Sequence, residues 1–177
     1  MVLPLSIGFL RGLGVRRPSV CVPRRHNHFA TEAEMVRACT SHWIALHPPP
    51  DVEAWAAVSN PDERAAAAIA QIYDYYRSTS AMWTTAYRDA DLVEPLGDIM
   101  DATWFALLDR AVAVLARGRG LRGRRGARVR GALRLALDFP TWQTLTASGL
   151  DDADAARVAT AFVAATGAPG RLQREAA

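Results

Sequence analysis

The chain contains no lysine, few cysteines and no long apolar run. Its 21 basic side chains are therefore all arginine, and its two cysteines, Cys21 and Cys39, form no C-x-x-C pair. No apolar stretch approaches the ~18 residues that a membrane-spanning helix needs. These absences disfavour a disulfide-bonded scaffold, a redox motif and an integral membrane protein. We expect a cytoplasmic protein with reduced thiols and no membrane partner.

Acidic residues are missing from the N-terminal segment. The five arginines of residues 1–30 give this segment a formal charge of +5, whereas residues 31–177 hold 16 arginines against 18 acids. Such an asymmetry indicates a basic arm that contacts nucleic acid or serves in targeting. Pro4, Pro18 and Pro23 disfavour the amphipathic helix of a mitochondrial transit peptide. We therefore favour nucleic acid as the partner of the arm.

The length and composition fit one globular core. Half of the 177 residues are hydrophobic and 22% are charged, which is enough to bury a core of good size. We divide the chain into a basic arm (1–30), a helical body (31–168) and a flexible tail (169–177).

The body shows apolar positions at helical spacing, and several helix starts carry capping residues. Thr31 and Glu34 form a capping box, Asn60 followed by Pro61 marks a second start, and Asp151 caps the last helix. The predicted helices span residues 31–47, 60–80, 81–89, 95–117, 124–146 and 151–166. No segment alternates as a half-buried strand does. The sequence therefore predicts an all-α, multi-helix bundle.

Two features interrupt the helical pattern. The segment GRGLRG (118–123) matches G-x-G-x-x-G, but it follows a helix rather than a strand, so we interpret it as a joint. The surrounding arginines could mark an RNA-binding segment, but no aromatic residue is present for base stacking. Pro140 removes a backbone donor and should kink its helix near Ala136 without ending it.

No catalytic or metal-binding constellation stands out. Cys39 and His42 lie three apart on a predicted helix, but His47 is displaced around it, and we favour packing over metal binding. The sequence contains no nucleophile elbow, phosphate loop or H-E-x-x-H motif. We predict that the protein is not an enzyme and needs no cofactor or metal.

Two stretches, GVRRPSV (14–20) and HNHFATEAEMVRAC (26–39), resemble the end of the DNA-binding domain in the TetR (tetracycline repressor) family of bacterial transcription factors. In that family a Gly-Val turn leads into a recognition helix. An aromatic-x-His-Phe element and a Ser/Thr-containing loop then precede the helix that connects head and body. Three further segments look like the C-terminal domain of actinobacterial members: HWIALHPPPDVEAW, NPDERAAAAIAQIYDYYRST and LALDFPTWQTL.

The resemblance implies a DNA-binding repressor that reads an operator through a helix-turn-helix. The residues that would contact DNA are Arg16, Arg17, Ser19, Asn27 and His28. Only thirteen residues precede Gly14, and the segment CVPRRH stands where the family has a single aromatic residue. We therefore expect a remnant of the DNA-binding head rather than a complete one.

The resemblance also implies an unknown small, mostly apolar ligand inside the helical bundle. Aromatic side chains are the candidates to line its site: Tyr76, Trp83, Tyr87, Trp104, Phe105, Phe139 and Trp142. His42 or Thr103 would supply a polar handle. The same aromatic side chains could instead simply fill the core.

A homodimer is the third implication. In the family, the last two helices of each subunit form a four-helix bundle with their mates. The corresponding interface residues would be Val129, Leu133, Leu137, Ala155, Val158, Ala159, Phe162 and Val163. The sequence thus predicts a TetR-like transcriptional regulator that binds a ligand and dimerises. The alternative is a standalone helical ligand-binding or protein-interaction module that does not bind DNA.

Overall fold

The computed structural model describes residues 29–120 and 122–167. The described residues from Thr31 onward belong to one compact unit, and Phe29 and Ala30 lie outside it. The predicted DNA-contacting residues lie outside the described residues: Arg16, Arg17, Ser19, Asn27 and His28. The predicted tail at 169–177 also lies outside them.

The described part of the chain is all-helical and contains no strand, which confirms the predicted class for these residues. The helices are α1 (Glu32–Leu46), α2 (Val52–Trp55), α3 (Pro61–Asp89), α4 (Glu94–Met100), α5 (Ala106–Ala116), α6 (Gly123–Ala136), α7 (Phe139–Ala147) and α8 (Asp152–Gly167). A π-helical turn, Asp101–Phe105, joins α4 to α5. Helix α3 packs against α2, α4, α5, α7 and α8, so it forms the centre of the body.

The predicted helix starts are confirmed by their caps. Side-chain oxygens of Thr31, Asn60 and Asp151 accept hydrogen bonds from backbone N–H groups two or three residues later, at 2.7–3.1 Å. Each bond satisfies a donor that has no partner within its helix. Pro61 occupies the first turn of α3, where its missing N–H costs nothing.

The predicted helix boundary near Ser80 is wrong. Helix α3 runs unbroken for 29 residues, which is about 44 Å at the usual rise. No glycine occurs in it, and no proline follows Pro61. The hydroxyl groups of Ser78 and Thr79 donate back to the carbonyl of Tyr75, so these polar residues are accommodated without ending the helix.

The predicted single helix at 124–146 is also wrong, because α6 ends at Ala136 and α7 begins at Phe139. Pro140 lies in the first turn of α7, which is its preferred place in a helix. The sequence predicted a kink near Ala136, whereas the structure has two separate helices there. We call Leu137 and Asp138 the helix break.

Two tyrosines of α3 hold the end of α6 at the helix break. The hydroxyl of Tyr73 donates to the carbonyl of Ala136 at 3.0 Å, and the hydroxyl of Tyr76 donates to the carbonyl of Leu137 at 2.7 Å. Both bonds are buried. The last carbonyls of a helix have no partner within it, so the tyrosine hydroxyls of α3 supply the hydrogen-bond donors that α6 lacks.

Arg119 joins the start of α3 to the end of α5. Its Nε donates to the carbonyl of Leu115 at 3.1 Å and its Nη2 donates to the carbonyl of Pro61 at 2.7 Å, while Nη1 lies 2.7 Å from the Asp62 carboxylate. Gly118 next to it has a φ of +77°, a left-handed conformation that glycine adopts without strain. Residues 117–120 thus form a tight turn that is exposed apart from the Arg119 side chain.

We expect Tyr76→Phe to lower the free energy of unfolding by about 1–3 kcal/mol, because the carbonyl of Leu137 is then buried without a donor. Tyr75→Phe is the matched control. The Tyr75 hydroxyl donates to the carbonyl of the exposed His47, where water can replace it, so its loss should be below about 1 kcal/mol. Denaturant unfolding followed by circular dichroism measures both. Equal losses in the two variants would contradict the role assigned to the helix break.

Candidate functional site

Aromatic side chains from four parts of the body meet beside α3 and form what we call the aromatic cluster. Ring centroids of neighbouring members are 4.3–6.5 Å apart, within the range of favourable ring contacts. The members are Trp43, Tyr73, Tyr75, Tyr76, Trp83, Tyr87, Trp104, Phe105, Phe139 and Trp142.

Helix α3 supplies the spine of the cluster. Tyr76, Trp83 and Tyr87 are spaced by seven and four residues, which places them on one face of a helix. The π-helical turn and α7 supply the facing rings, and Trp43 approaches from α1. The aromatic residues predicted to line a ligand site are thus brought together in this cluster. Tyr87 and Phe105 are half-buried, and the other five are buried.

The two predicted polar handles lie elsewhere. His42 is exposed on α1, where the neighbouring Trp43 is the residue that contacts α3. Thr103 is exposed as well, and its hydroxyl donates to the carbonyl of Ile99 at 2.6 Å. Neither side chain therefore supplies a polar group to the aromatic cluster.

Two indole groups supply buried polar atoms instead. Trp83 and Trp104 are 4% and 5% exposed, their rings are 4.3 Å apart, and Nε1 of each has no hydrogen-bond partner among the described residues. By contrast, Nε1 of Trp55 and of Trp142 donates to a side-chain oxygen at 2.8 and 2.9 Å. A buried donor without an acceptor costs about 1–3 kcal/mol. Two such donors, carried by rings in contact, are therefore unexpected in a core that serves packing alone.

A charged pair lies at the edge of the cluster. The Tyr87 hydroxyl donates to Oδ1 of Asp138 at 2.7 Å, and Nη1 of Arg134 lies 3.2 Å from the same oxygen. The Arg134 guanidinium also lies 5.4 Å from the centre of the Phe105 ring. Burial raises the pKa of Tyr76 and of Tyr87, and the Trp104 indole slightly opposes both rises, although its Nε1 makes no hydrogen bond among the described residues.

Trp142 is anchored at the opposite edge. Its Nε1 donates to Asp152, which also accepts two hydrogen bonds of 2.8 Å from Arg77. The Arg77 guanidinium lies 5.0 Å from the centre of the Trp142 ring. These Arg77 hydrogen bonds hold the pKa of Asp152 below its ordinary value. The polar groups at this edge satisfy one another.

The π-helical turn positions the facing rings. The backbone N–H of Ala106 donates to the carbonyl of Asp101, five residues earlier, instead of four. The wider turn presents two consecutive residues to α3, since Trp104 contacts Trp83 and Phe105 contacts Tyr87. Single π-helical turns within α-helices occur frequently at functional sites.

Sequence reasoning missed three members of the cluster: Trp43, Tyr73 and Tyr75. Tyr75 contacts Trp43, Trp83 and Trp104, although it precedes Tyr76 directly and so points to a different side of α3. The three tyrosines at positions 73, 75 and 76 were the signal in the sequence for a wider cluster. A helix that carries aromatic residues on adjacent faces must be covered on both.

The residues predicted for a dimer interface fall into two groups. Six are already buried within a single chain, at 0–3% exposure: Val129, Leu133, Leu137, Ala155, Ala159 and Val163. These side chains are covered within a single chain, because α6 and α8 pack against each other and α8 packs on α3. Val158 and Phe162 are 47% and 44% exposed. The predicted stripe of α8 is thus two adjacent stripes, one buried and one nearly half-exposed.

Burial raises the pKa of all four tyrosines of the chain, Tyr73, Tyr75, Tyr76 and Tyr87. Their ordinary value is 10.0. In the unfolded chain the phenols therefore lose their protons near that pH, while the folded chain keeps them. The stabilisation is fully present below pH 10.0 and is lost as the pH rises above it.

No family model matches the chain, and neither a curated protein nor a solved structure matches it. The likeness to the TetR family therefore rests on the sequence elements quoted above. Within residues 29–120 and 122–167, no group of three or more His, Cys, Asp or Glu side chains could hold a metal ion. Within the same ranges, no helix is long and apolar enough to cross a membrane.

We expect the tyrosines to ionise together with unfolding rather than one by one. Each should remove about 1.4 kcal/mol of stability per pH unit above its unfolded-state pKa. Near-ultraviolet absorbance reports tyrosinate, and far-ultraviolet circular dichroism reports helix. The two transitions should coincide at a pH clearly above 10.0. A tyrosine that titrates at its ordinary pKa in the folded chain would contradict the burial described here.

Proposed function

We propose that the chain is a TetR-like transcriptional regulator whose helical body binds a small, mostly apolar molecule and forms a homodimer. The observation that carries the proposal is the aromatic cluster with its two unpartnered indole donors. A cluster that served packing alone would gain nothing from buried donors without acceptors.

The composition of the cluster supports the binding of a mostly apolar ligand. Small-molecule sites are lined mainly by aromatic and apolar side chains with a few polar groups that orient the ligand. Here the rings are the apolar lining and the N–H groups of Trp83 and Trp104 are the polar groups. The π-helical turn lies beside them, and such turns recur at functional sites.

The outward face of α8 supports the dimer. Val158 and Phe162 lie one turn apart, and both are nearly half-exposed. Ala161 and Ala165 share this face and are exposed as well, so a second helix can approach closely. Leu135 of α6 is a further exposed large apolar residue, at 51%. A two-fold axis that pairs α8 with its copy would cover this face.

We expect the wild-type chain to sediment as a dimer at concentrations on the order of tens of micromolar. Val158→Glu combined with Phe162→Arg should give a folded monomer, because both side chains point away from the core. Leu92→Arg is the matched control, since Leu92 is 71% exposed but lies outside α8, and it should remain dimeric. A wild-type monomer under these conditions would end the dimer proposal.

DNA binding is proposed from the resemblance and the arm. The arginines of residues 1–30 carry a charge of +5, which suits contact with phosphates. Phosphate contacts by these arginines alone would be weak and would show little sequence preference. The second candidate function, a standalone ligand-binding or interaction module, is favoured by the near-neutral charge of residues 31–177, which by itself gives little attraction to DNA.

A gel shift with the upstream genomic DNA separates the two candidates. We expect weak binding, and the logarithm of its association constant should fall with the logarithm of the salt concentration with a slope of about −0.9 per phosphate contacted. Arg16→Ala with Arg17→Ala should weaken it, whereas Arg128→Ala with Arg130→Ala, both exposed on α6, should not. Tight, sequence-specific binding at physiological salt would contradict the expectation of weak binding through the arginines alone. Absence of binding at low salt would favour the standalone module.

A further inference from the structure

The chemical class of the ligand can be inferred from the two unpartnered donors of the aromatic cluster. We propose that Trp83 and Trp104 donate their indole N–H groups to a flat, neutral ligand that carries a hydrogen-bond acceptor, such as an aromatic ketone. This inference rests on the proposed function, since it specifies the molecule that the body binds. It also identifies the polar handle that His42 and Thr103 do not supply.

The donors require an acceptor on the ligand. An indole N–H can donate but cannot accept, and both indoles are at least nine-tenths buried, at 4% and 5% exposure. Their ring centroids are 4.3 Å apart, so both indoles lie within the span of one small ligand, and a carbonyl oxygen has two lone pairs with which to accept. A ligand that brings only donors, such as an ammonium ion, would leave both indole N–H groups without an acceptor.

The surroundings require the ligand to be neutral. The rings in contact with Trp83 and Trp104 are uncharged: Trp43, Tyr75, Tyr76, Tyr87 and Phe139. The charged groups that act on the neighbouring tyrosines are Asp138 and Arg134, and these are paired with each other. A carboxylate in this position would be buried without a counter-charge, which is strongly unfavourable.

The ring geometry favours a flat ligand. Tyr75 and Trp104 are stacked, with centroids 5.7 Å apart and planes inclined by 29°. A planar molecule can replace such ring–ring contacts with equivalent contacts of its own. Trp104 belongs to the π-helical turn, which holds one residue more per turn than an α-helix. Binding of the ligand would require Trp104 to move from its present position, and we expect this movement in the π-helical turn, since such turns occur frequently at functional sites.

A competing account leaves the cluster without a ligand. Trp83 meets the rings of Trp43 and Tyr76 edge to face, at 83° and 84°, so its N–H could rest on a ring face. Such N–H···π contacts are weaker than a hydrogen bond to a carbonyl. The two accounts differ in what they predict for an added acceptor.

The test compares matched pairs of probes, fluorenone with fluorene and indanone with indane, on the full-length chain by calorimetry. Each ketone differs from its hydrocarbon mainly by the acceptor. We expect the ketones to bind roughly tenfold or more tightly than the hydrocarbons. In Trp83→Phe and Trp104→Phe this preference should fall severalfold. Trp55→Phe is the matched control, because Trp55 lies outside the cluster and its Nε1 donates to Gln71, and it should keep the preference.

A second measurement uses the wild-type chain alone and so does not depend on the folding of a variant. With tryptophan labelled at the indole nitrogen, the ketone should move the N–H proton resonances of Trp83 and Trp104 downfield, while the hydrocarbon should not. Those of Trp55 and Trp142, already hydrogen-bonded, should stay in place. No downfield movement on ketone binding would overturn the inference.

The outcomes separate this inference from the proposed function. If ketone and hydrocarbon bind equally, the body binds apolar molecules as proposed, but the acceptor inference is overturned. If none of the four probes binds, the N–H···π account prevails and both the inference and the proposed ligand binding fail. A ketone preference that survives in both Trp83→Phe and Trp104→Phe also overturns the inference, because the acceptor then lies elsewhere.

Discussion

The carbonyl groups at the end of α6 lie in the core, where they accept hydrogen bonds from the hydroxyl groups of Tyr73 and Tyr76. The placement of α7 and α8 depends on these hydrogen bonds. The break turns the chain so that α7 brings Phe139 and Trp142 against α3, and it leads on to α8, which packs on α3 and α6. Without donors at this point, the interruption of α6 would bury unsatisfied backbone groups.

The aromatic cluster combines two kinds of polar group with different consequences. The Tyr76 and Tyr87 hydroxyls and the Trp142 indole all have partners, and these bonds fix the positions of α3, α7 and α8 relative to one another. The indoles of Trp83 and Trp104 have none. A fully satisfied network rigidifies a core, whereas unsatisfied donors are a local cost that a bound acceptor removes.

The sequence predicted the parts of the structure that local chemistry determines. Asn60 and Asp151 are recognisable as caps because capping depends on neighbours in the chain. Pro140 revealed a disturbance, but whether a helix bends or ends there depends on distant donors such as the Tyr73 hydroxyl, which sequence spacing does not display. The same limit applies to α8. Its small and β-branched residues identified an apolar helix, but only the packing of α3 shows that Ala159 faces inward and Phe162 outward.

The junction held by Arg119 has a consequence for how the body opens. Helix ends normally fray independently, because each terminal turn is held by few bonds. Here one guanidinium bonds to the carbonyl of Leu115, to the carbonyl of Pro61 and to the Asp62 carboxylate. A lysine could not take this place, since a single ammonium lacks the planar fork that reaches acceptors in several directions. We therefore expect the first turn of α3 and the last turn of α5 to open and close together.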